Sequence, residues 1–79
     1  MSLRLQPVQV ATGSQDTESH LLFADGFLVA VLVRLSVEHE DEAGRWYLEA
    51  GFGRVDDPHP PTFADLNEAQ VWITDRLPS

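Results

Sequence analysis

The sequence contains no cysteine and no lysine, and its five basic residues are all arginine. Without cysteine, the chain cannot form a disulfide, a thiolate metal site or a thiol nucleophile. The sequence has 13 acidic residues and five arginines, so its formal net charge is −8. Binding to nucleic acid or to an anionic membrane needs clustered basic side chains, so we expect neither partner. A basic protein is the charged partner that this composition favours.

The sequence also lacks a long hydrophobic segment. Its longest uninterrupted apolar run extends from Phe27 to Val33, whereas a helix that crosses a bilayer takes about 20 residues. The stretch from Met1 to Pro7 lacks the long apolar region of a signal peptide. We therefore expect a cytoplasmic protein.

A length of 79 residues predicts a single domain, 1–79. A chain of this size buries only about 60% of the surface that it exposes when unfolded, so its core is marginal. Small domains compensate with disulfides, a metal or oligomerisation. Since disulfides are excluded, the composition favours a homodimer.

The run from Phe27 to Val33 is the most informative segment, because it is apolar at every position. A strand with one face in water alternates apolar and polar residues, so we expect this strand to be covered on both faces. Asp25 and Gly26 precede it and predict a tight hairpin turn from the short apolar segment 20–23.

A second hairpin is predicted between a strand over 27–38 and a strand over 45–52, with an acidic turn at 39–44. One register brings apolar residues opposite each other on one face and sets Arg34 opposite Glu49 on the other. The predicted pairs are Val37 with Trp46, Leu35 with Leu48, Val33 with Ala50, Val31 with Phe52, and Ser36 with Tyr47.

The flanking segments complete the predicted organisation. Residues 1–19 are interpreted as an edge strand or arm, because they contain Pro7, followed by a polar loop. The remaining segments are a β-meander over 20–54, a proline-rich loop over 55–61 and a helix over 62–77 with Thr62 as its N-cap. The fold class is α+β: an antiparallel meander of three to four strands with one C-terminal helix on one face, in the order β-β-β-α.

In this arrangement the helix covers the predicted apolar row, which leaves the opposite face half apolar and flattened by glycine. The row under the helix comprises Val29, Val31, Val33, Leu35, Trp46, Leu48, Ala50 and Phe52. The predicted partner interface on the opposite face comprises Leu28, Ala30, Leu32, Arg34, Tyr47 and Gly51. A second copy of the chain, the N-terminal arm or a different protein could cover it. Residues 1–11 could pair as a strand, cover this face or be disordered.

Two acidic segments that contain histidine are candidate metal sites. Carboxylates and an imidazole occur together in His39–Glu42 and again in Asp56–His59. The first lacks the spacing of a known metal loop and is explained more simply as a solvated hairpin tip. The second is explained more simply as a stiff proline-containing loop that leads to Thr62. His20 stands apart from both and is interpreted as a structural residue. No nucleophile motif is present, so we expect no catalytic residue, no metal and no cofactor.

The hairpin, the loop and the helix start Thr62-Phe63-Ala64-Asp65-Leu66-Asn67-Glu68-Ala69 are similar to the corresponding parts of HicB-type antitoxins. They are also similar to the arm-binding domains of phage-type integrases. The resemblance covers roughly the second half of the chain. It lacks the glycine-containing phrase of the antitoxins and the basic strand surface of the integrase arms, so it indicates a fold and assigns no family.

The sequence therefore predicts a non-catalytic, acidic protein-interaction module that forms a homodimer through the second face of its sheet. One alternative is an antitoxin-like inhibitor that masks a basic protein. Another is a metal- or ligand-binding protein whose site is shared across a dimer.

Overall fold

A computed structural model describes residues 2–9, 18–36 and 41–77. The described chain forms a single antiparallel sheet in the order β1-β2-β3-β4-β5, followed by one helix. The elements are β1 (Leu3–Gln9), β2 (Glu18–Ala24), β3 (Phe27–Arg34), β4 (Trp46–Gly51), a 3-10 turn (Gly53–Val55), β5 (Thr62–Phe63) and α1 (Leu66–Arg76). The α+β class and the C-terminal helix are confirmed, but the sheet has five strands where three to four were predicted.

β1 forms one edge of the sheet and pairs with β2 along its whole length, from Leu3 opposite Ala24 to Gln9 opposite Glu18. The amide N of Asp25 donates to the carbonyl O of Ser2 at 2.8 Å. This bond makes Ser2 and Asp25 a hydrogen-bonded pair. Such pairs alternate with non-hydrogen-bonded pairs along an antiparallel ladder, so Pro7, five residues further along β1, falls at a non-hydrogen-bonded pair. Its nitrogen therefore faces the free edge, where a missing N–H costs no ladder bond. Of the alternatives for residues 1–11, pairing as an edge strand is correct for residues 3–9.

The turn between β2 and β3 has the predicted tight form. Asp25 and Gly26 both adopt positive φ, 52° and 87°, as a two-residue type I′ hairpin requires. Ala24 lies opposite Phe27, and the register shifts between Leu22 and Phe23. The shift leaves Val29 as an extra residue in β3.

The predicted register of the β3–β4 hairpin is wrong. Leu32 lies opposite Leu48 and Arg34 lies opposite Trp46, a shift of three residues from the predicted pairing. A bulge between Val31 and Leu32 leaves Glu49 without a partner position. Since β3 is apolar at nearly every position, several registers match apolar residues equally well, and pairing on paper could not distinguish them. Val37 lies outside the described residues.

The shifted register exchanges the two faces of β3 from Ala30 to Val33, whereas Val29 lies in the core and Leu28 on the opposite face, as predicted. Ala30 and Leu32, predicted to face away from the helix, are fully buried in the core between sheet and helix. Val31, Val33 and Ala50, predicted to lie under the helix, take the opposite face. The core comprises Leu22, Ala24, Val29, Ala30, Leu32, Trp46, Leu48, Val55, Phe63, Ala69 and Ile73.

The helix begins at Leu66, later than predicted. Its N-cap is Asp65, whose Oδ1 accepts a hydrogen bond from the amide N of Glu68 at 2.8 Å. Thr62, the predicted cap, belongs to β5 and pairs with Tyr47 of β4. Arg45 accounts for this difference, because its Nε and Nη2 donate to the Oγ1 and the carbonyl O of Thr62 at 2.9 and 3.0 Å. Among the described residues, no helix is long and apolar enough to cross a membrane.

Candidate functional site on the outward face of the sheet

The sheet face opposite α1, here called the outward face, carries apolar side chains that the described helix does not cover. Opposed residues in an antiparallel sheet point to the same side, so the strand registers define three rows of side chains across this face. The rows are Arg4–Phe23–Leu28, then Gln6–Leu21–Val31–Ala50, then Val8–Ser19–Val33–Tyr47–Thr62. Seven of these twelve positions are aliphatic or phenylalanine, which is unusual for a sheet face in contact with water.

Exposure is greatest in the rows nearest the β2–β3 turn. Leu28 is 36% exposed, and Leu21, Phe23 and Val31 are half-buried. In the third row, by contrast, Ser19 and Val33 are buried. The described residues place no helix or strand across the outward face, since α1 and the 3-10 turn both pack on the other side.

One exposed aromatic residue extends this apolar surface at the turn end of the sheet: Phe52, just after β4, is 49% exposed. Phe27, next to the turn, is 76% exposed, but it lies opposite the core residue Ala24 and is therefore on the helix side. The amide N of Phe52 donates to the carbonyl O of Val29 at 3.0 Å, so the two aromatic residues flank the same end of β3. A large exposed aromatic side chain next to a sheet face of this kind is typical of a contact surface.

Arg4 is the one charged residue in the three rows. Its guanidinium carbon lies 4.5 Å from the centroid of the Phe23 ring, within the range of a cation–π contact. Its Nη1 also donates to Oε1 of Gln6 at 3.2 Å. These two contacts hold a positive charge flat against the apolar surface of a protein whose net charge is −8.

The six residues of the predicted interface are divided between the two sides of the sheet. Leu28 and Tyr47 lie on the outward face as predicted, whereas Ala30 and Leu32 lie in the core. Arg34 lies opposite the core residue Trp46 and pairs with Glu18 at 3.3 Å.

Gly51 is also placed on the helix side. It lies opposite Ala30, and a Cβ at its position would approach the carbonyl O of Val55 to 2.6 Å. Sequence reasoning missed Leu21 and Phe23 as outward-facing residues and assigned Val31 and Ala50 to the helix side. The observed register of β3 against β4 would have placed Val31 and Ala50 on the outward face.

One carboxylate in each candidate metal segment forms a salt bridge with an arginine. Asp57 pairs with Arg76 at 3.0 Å, and Glu42 pairs with Arg45 at 3.3 Å. Asp57 Oδ1 also accepts from the amide N of His59 at 2.8 Å. His39 and Glu40 lie outside the described residues. Within the described ranges, no group of three or more histidine or acidic side chains is placed to hold a metal ion.

A second candidate site is an open groove of about 460 Å³ at the end of the β1–β2 pair. Its lining comprises Pro7, Val8, Gln9, Glu18, Ser19 and His20. The Oγ of Ser19, on the outward face, and the Nδ1 of His20, on the helix side, are both buried without a hydrogen-bond partner among the described residues. The His20 ring packs edge-on against Trp46, with centroids 5.2 Å apart. Buried polar atoms normally have a partner, so this end of the sheet has unused hydrogen-bonding capacity.

Comparison of the chain with protein-family models, with curated proteins and with solved structures gives no match.

Proposed function

We propose that the protein is a non-catalytic interaction module that forms a homodimer through the outward face of its sheet. The observation that carries the proposal is the set of half-buried and exposed apolar side chains at the turn end of that face, Leu21, Phe23, Leu28 and Val31. Packing a second copy against them would remove this apolar surface from water, which is the main driving force of association.

The dimensions of the face support a weak dimer rather than a permanent one. Four strands spaced about 4.8 Å apart, each contributing about five residues at 3.3 Å, span an area of roughly 300 Å². Stable complexes bury about 800 Å² of accessible surface on each partner. The accessible surface of a face exceeds its projected area, but a projected area of this size still makes a small interface. We expect a dissociation constant in the micromolar range, where association responds to protein concentration.

Sedimentation equilibrium from low micromolar to about 1 mM protein tests the proposal. The apparent mass should rise from the monomer value of 8.8 kDa towards twice that value. Val31→Glu should hold the protein at the monomer mass, because a carboxylate in the centre of the interface would be desolvated. Val71→Glu is the matched control, since Val71 is 58% exposed on α1, away from the outward face. A wild-type protein that stays monomeric throughout would refute homodimerisation.

Binding to a basic protein is an alternative function for this chain, and the net charge of −8 favours it. The two proposals differ in their dependence on salt. Association driven by net charge weakens as ionic strength rises, because charges farther apart than about 8 Å are screened at physiological salt. Self-association of an acidic chain through an apolar face should instead persist or strengthen.

Ligand binding in the groove at His20 is a second candidate function, favoured by the unpartnered Nδ1 of its imidazole. Zn²⁺ is a suitable probe, because imidazole nitrogen is one of its preferred ligands. Binding should raise the melting temperature of the wild-type protein and leave that of His20→Phe unchanged. Equal shifts in both proteins, or no shift in either, would remove this candidate.

A further inference from the structure

Two charged residues border the outward face on opposite sides of the sheet, one in its first row and one beside its second row. Arg4 is on the edge strand β1, and Glu49 is the extra residue of the bulge in β4, next to Ala50. Both side chains are exposed. Within the described residues, the ion pairs of the chain involve neither of them.

The other arginines are engaged elsewhere or lie away from this face. Arg34, Arg45 and Arg76 pair with carboxylates of their own chain. Arg54 is exposed in the 3-10 turn, which packs beneath Gly51 on the helix side of the sheet. Arg4 is therefore the cation that the outward face presents, and its contact with the Phe23 ring already orders it there.

We infer that two copies pack outward face against outward face about a twofold axis parallel to the strands, with Arg4 of each copy beside Glu49 of the partner subunit. This inference rests on the proposed homodimer. Rotation about such an axis exchanges the β1 side with the β4 side and keeps the turn ends together. The charge on one side of the face thus meets the opposite charge on the other. Facing sheets are about 10 Å apart. Because this axis preserves height along the strands, Arg4 and the partner's Glu49 are also offset by roughly 7–10 Å along the strand direction, and two long side chains at the rim can span the combined distance.

The distribution of exposed apolar surface favours the same axis. With the axis along the strands, the exposed end at Leu28 and Phe23 meets the corresponding end of the partner. An axis across the strands would set that end against the row of Ser19 and Val33, which is already buried. It would also place Arg4 near the far end of the partner's β1, where the described outward-facing residue is the uncharged Val8.

Charge exchange between the two positions tests the arrangement. Arg4→Glu and Glu49→Arg should each weaken self-association about tenfold, because two attractive pairs per dimer become repulsive. The double variant, which restores opposite charges across the interface, should return to within about twofold of wild type. An equimolar mixture of the two single variants should associate as tightly as the double variant, since both of its cross-subunit pairs are attractive. The neutral variants Arg4→Gln and Glu49→Gln should show smaller losses of about threefold.

Arg54→Glu provides the matched control, because it makes the same charge change at an exposed arginine off the outward face. Alone, it should dimerise as tightly as wild type. Its heterodimer with Glu49→Arg keeps one attractive and one repulsive pair, so it should be weaker than the heterodimer of Arg4→Glu with Glu49→Arg. Far-UV circular dichroism of each variant separates loss of pairing from loss of folding. If wild type dimerises and neither the double variant nor the mixture recovers, the axis is wrong and the homodimer stands. If wild type is monomeric, both are wrong.

Discussion

Gly51 and the carbonyl group of Val55 are so close that an added Cβ on Gly51 would lie 2.6 Å from the oxygen and 2.7 Å from the carbon. The contact exists because the chain turns back after β4 and the 3-10 turn places the fully buried Val55 in the core. Both atoms belong to the backbone, so neither can move aside as the end of a flexible side chain would. Gly51 thus allows close packing inside the subunit, and the sequence-based assignment of this glycine to a flat partner surface is wrong.

Gly51→Ala should therefore destabilise the protein by about 2 kcal/mol or more, the cost of overpacking against a fixed backbone. Gly53→Ala is the comparison, because it has open space around it and adopts a positive φ of 62°. Its cost should be about 1 kcal/mol, from backbone strain alone. Urea unfolding of the two variants measures the difference. Equal costs would show that the close approach at Gly51 is relieved by a small shift of the turn.

Substitutions at the adjacent positions Leu32 and Val31 test which side of β3 faces the helix. Leu32→Ala should cost about 2–5 kcal/mol, because the fully buried leucine leaves a cavity in the core. Val31→Ala should cost about 1 kcal/mol or less, since Val31 is half-buried on the outward face. Denaturant unfolding at a protein concentration low enough to keep the chain monomeric gives both values. The reverse order would restore the facing that was predicted from sequence.

The sequence predicted those parts of the fold that depend on local chemistry. Asp25 and Gly26 identified the first hairpin, because few residue pairs tolerate two positive φ angles in succession. Pro7 restricted its segment to an edge strand or an arm for a similarly local reason, and β1 is the edge strand. The register of β3 against β4 depends instead on how a uniformly apolar strand slides past its neighbour, and the bulge at Glu49 is not encoded in any local signal. The same uncertainty displaced the candidate site, since Ala30 and Leu32 exchanged sides with Val31.

Asp65→Ala should destabilise the protein by about 1 kcal/mol, because it removes the acceptor for the amide N of Glu68 at the start of α1. Asp65→Asn should retain most of the stability, since asparagine is an equally good cap. Thermal unfolding monitored at 222 nm compares the two variants with wild type. A loss as large in Asp65→Asn as in Asp65→Ala would assign the effect to charge rather than to the cap.

Thr62 shows why the helix start was predicted too early. A threonine before an acidic stretch is a good cap in isolation, but its Oγ1 is already bonded to Arg45 and Glu42. Thr62→Ala should therefore loosen the junction between β4 and β5 without shortening the helix. Amide hydrogen exchange distinguishes the outcomes, with faster exchange expected at Tyr47 and unchanged exchange in α1. Faster exchange in the first turn of α1 would instead make Thr62 part of the cap.

Pro7→Val should promote association through the free edge of β1. Because the nitrogen of residue 7 faces that edge, valine would present an N–H to a neighbouring molecule and complete a regular row of edge donors. We expect slow formation of thioflavin-positive aggregates at concentrations where wild type remains clear. Pro58→Val is a suitable control, since Pro58 is exposed in the loop before β5 and belongs to no strand. Neither change touches the outward face, so the Pro7→Val protein should still form the reversible dimer. The double variant Pro7→Val/Val31→Glu should lose that dimer and still aggregate. Aggregation of Pro58→Val to the same extent would mean that proline content in general, rather than the blocked edge at Pro7, keeps the chain soluble.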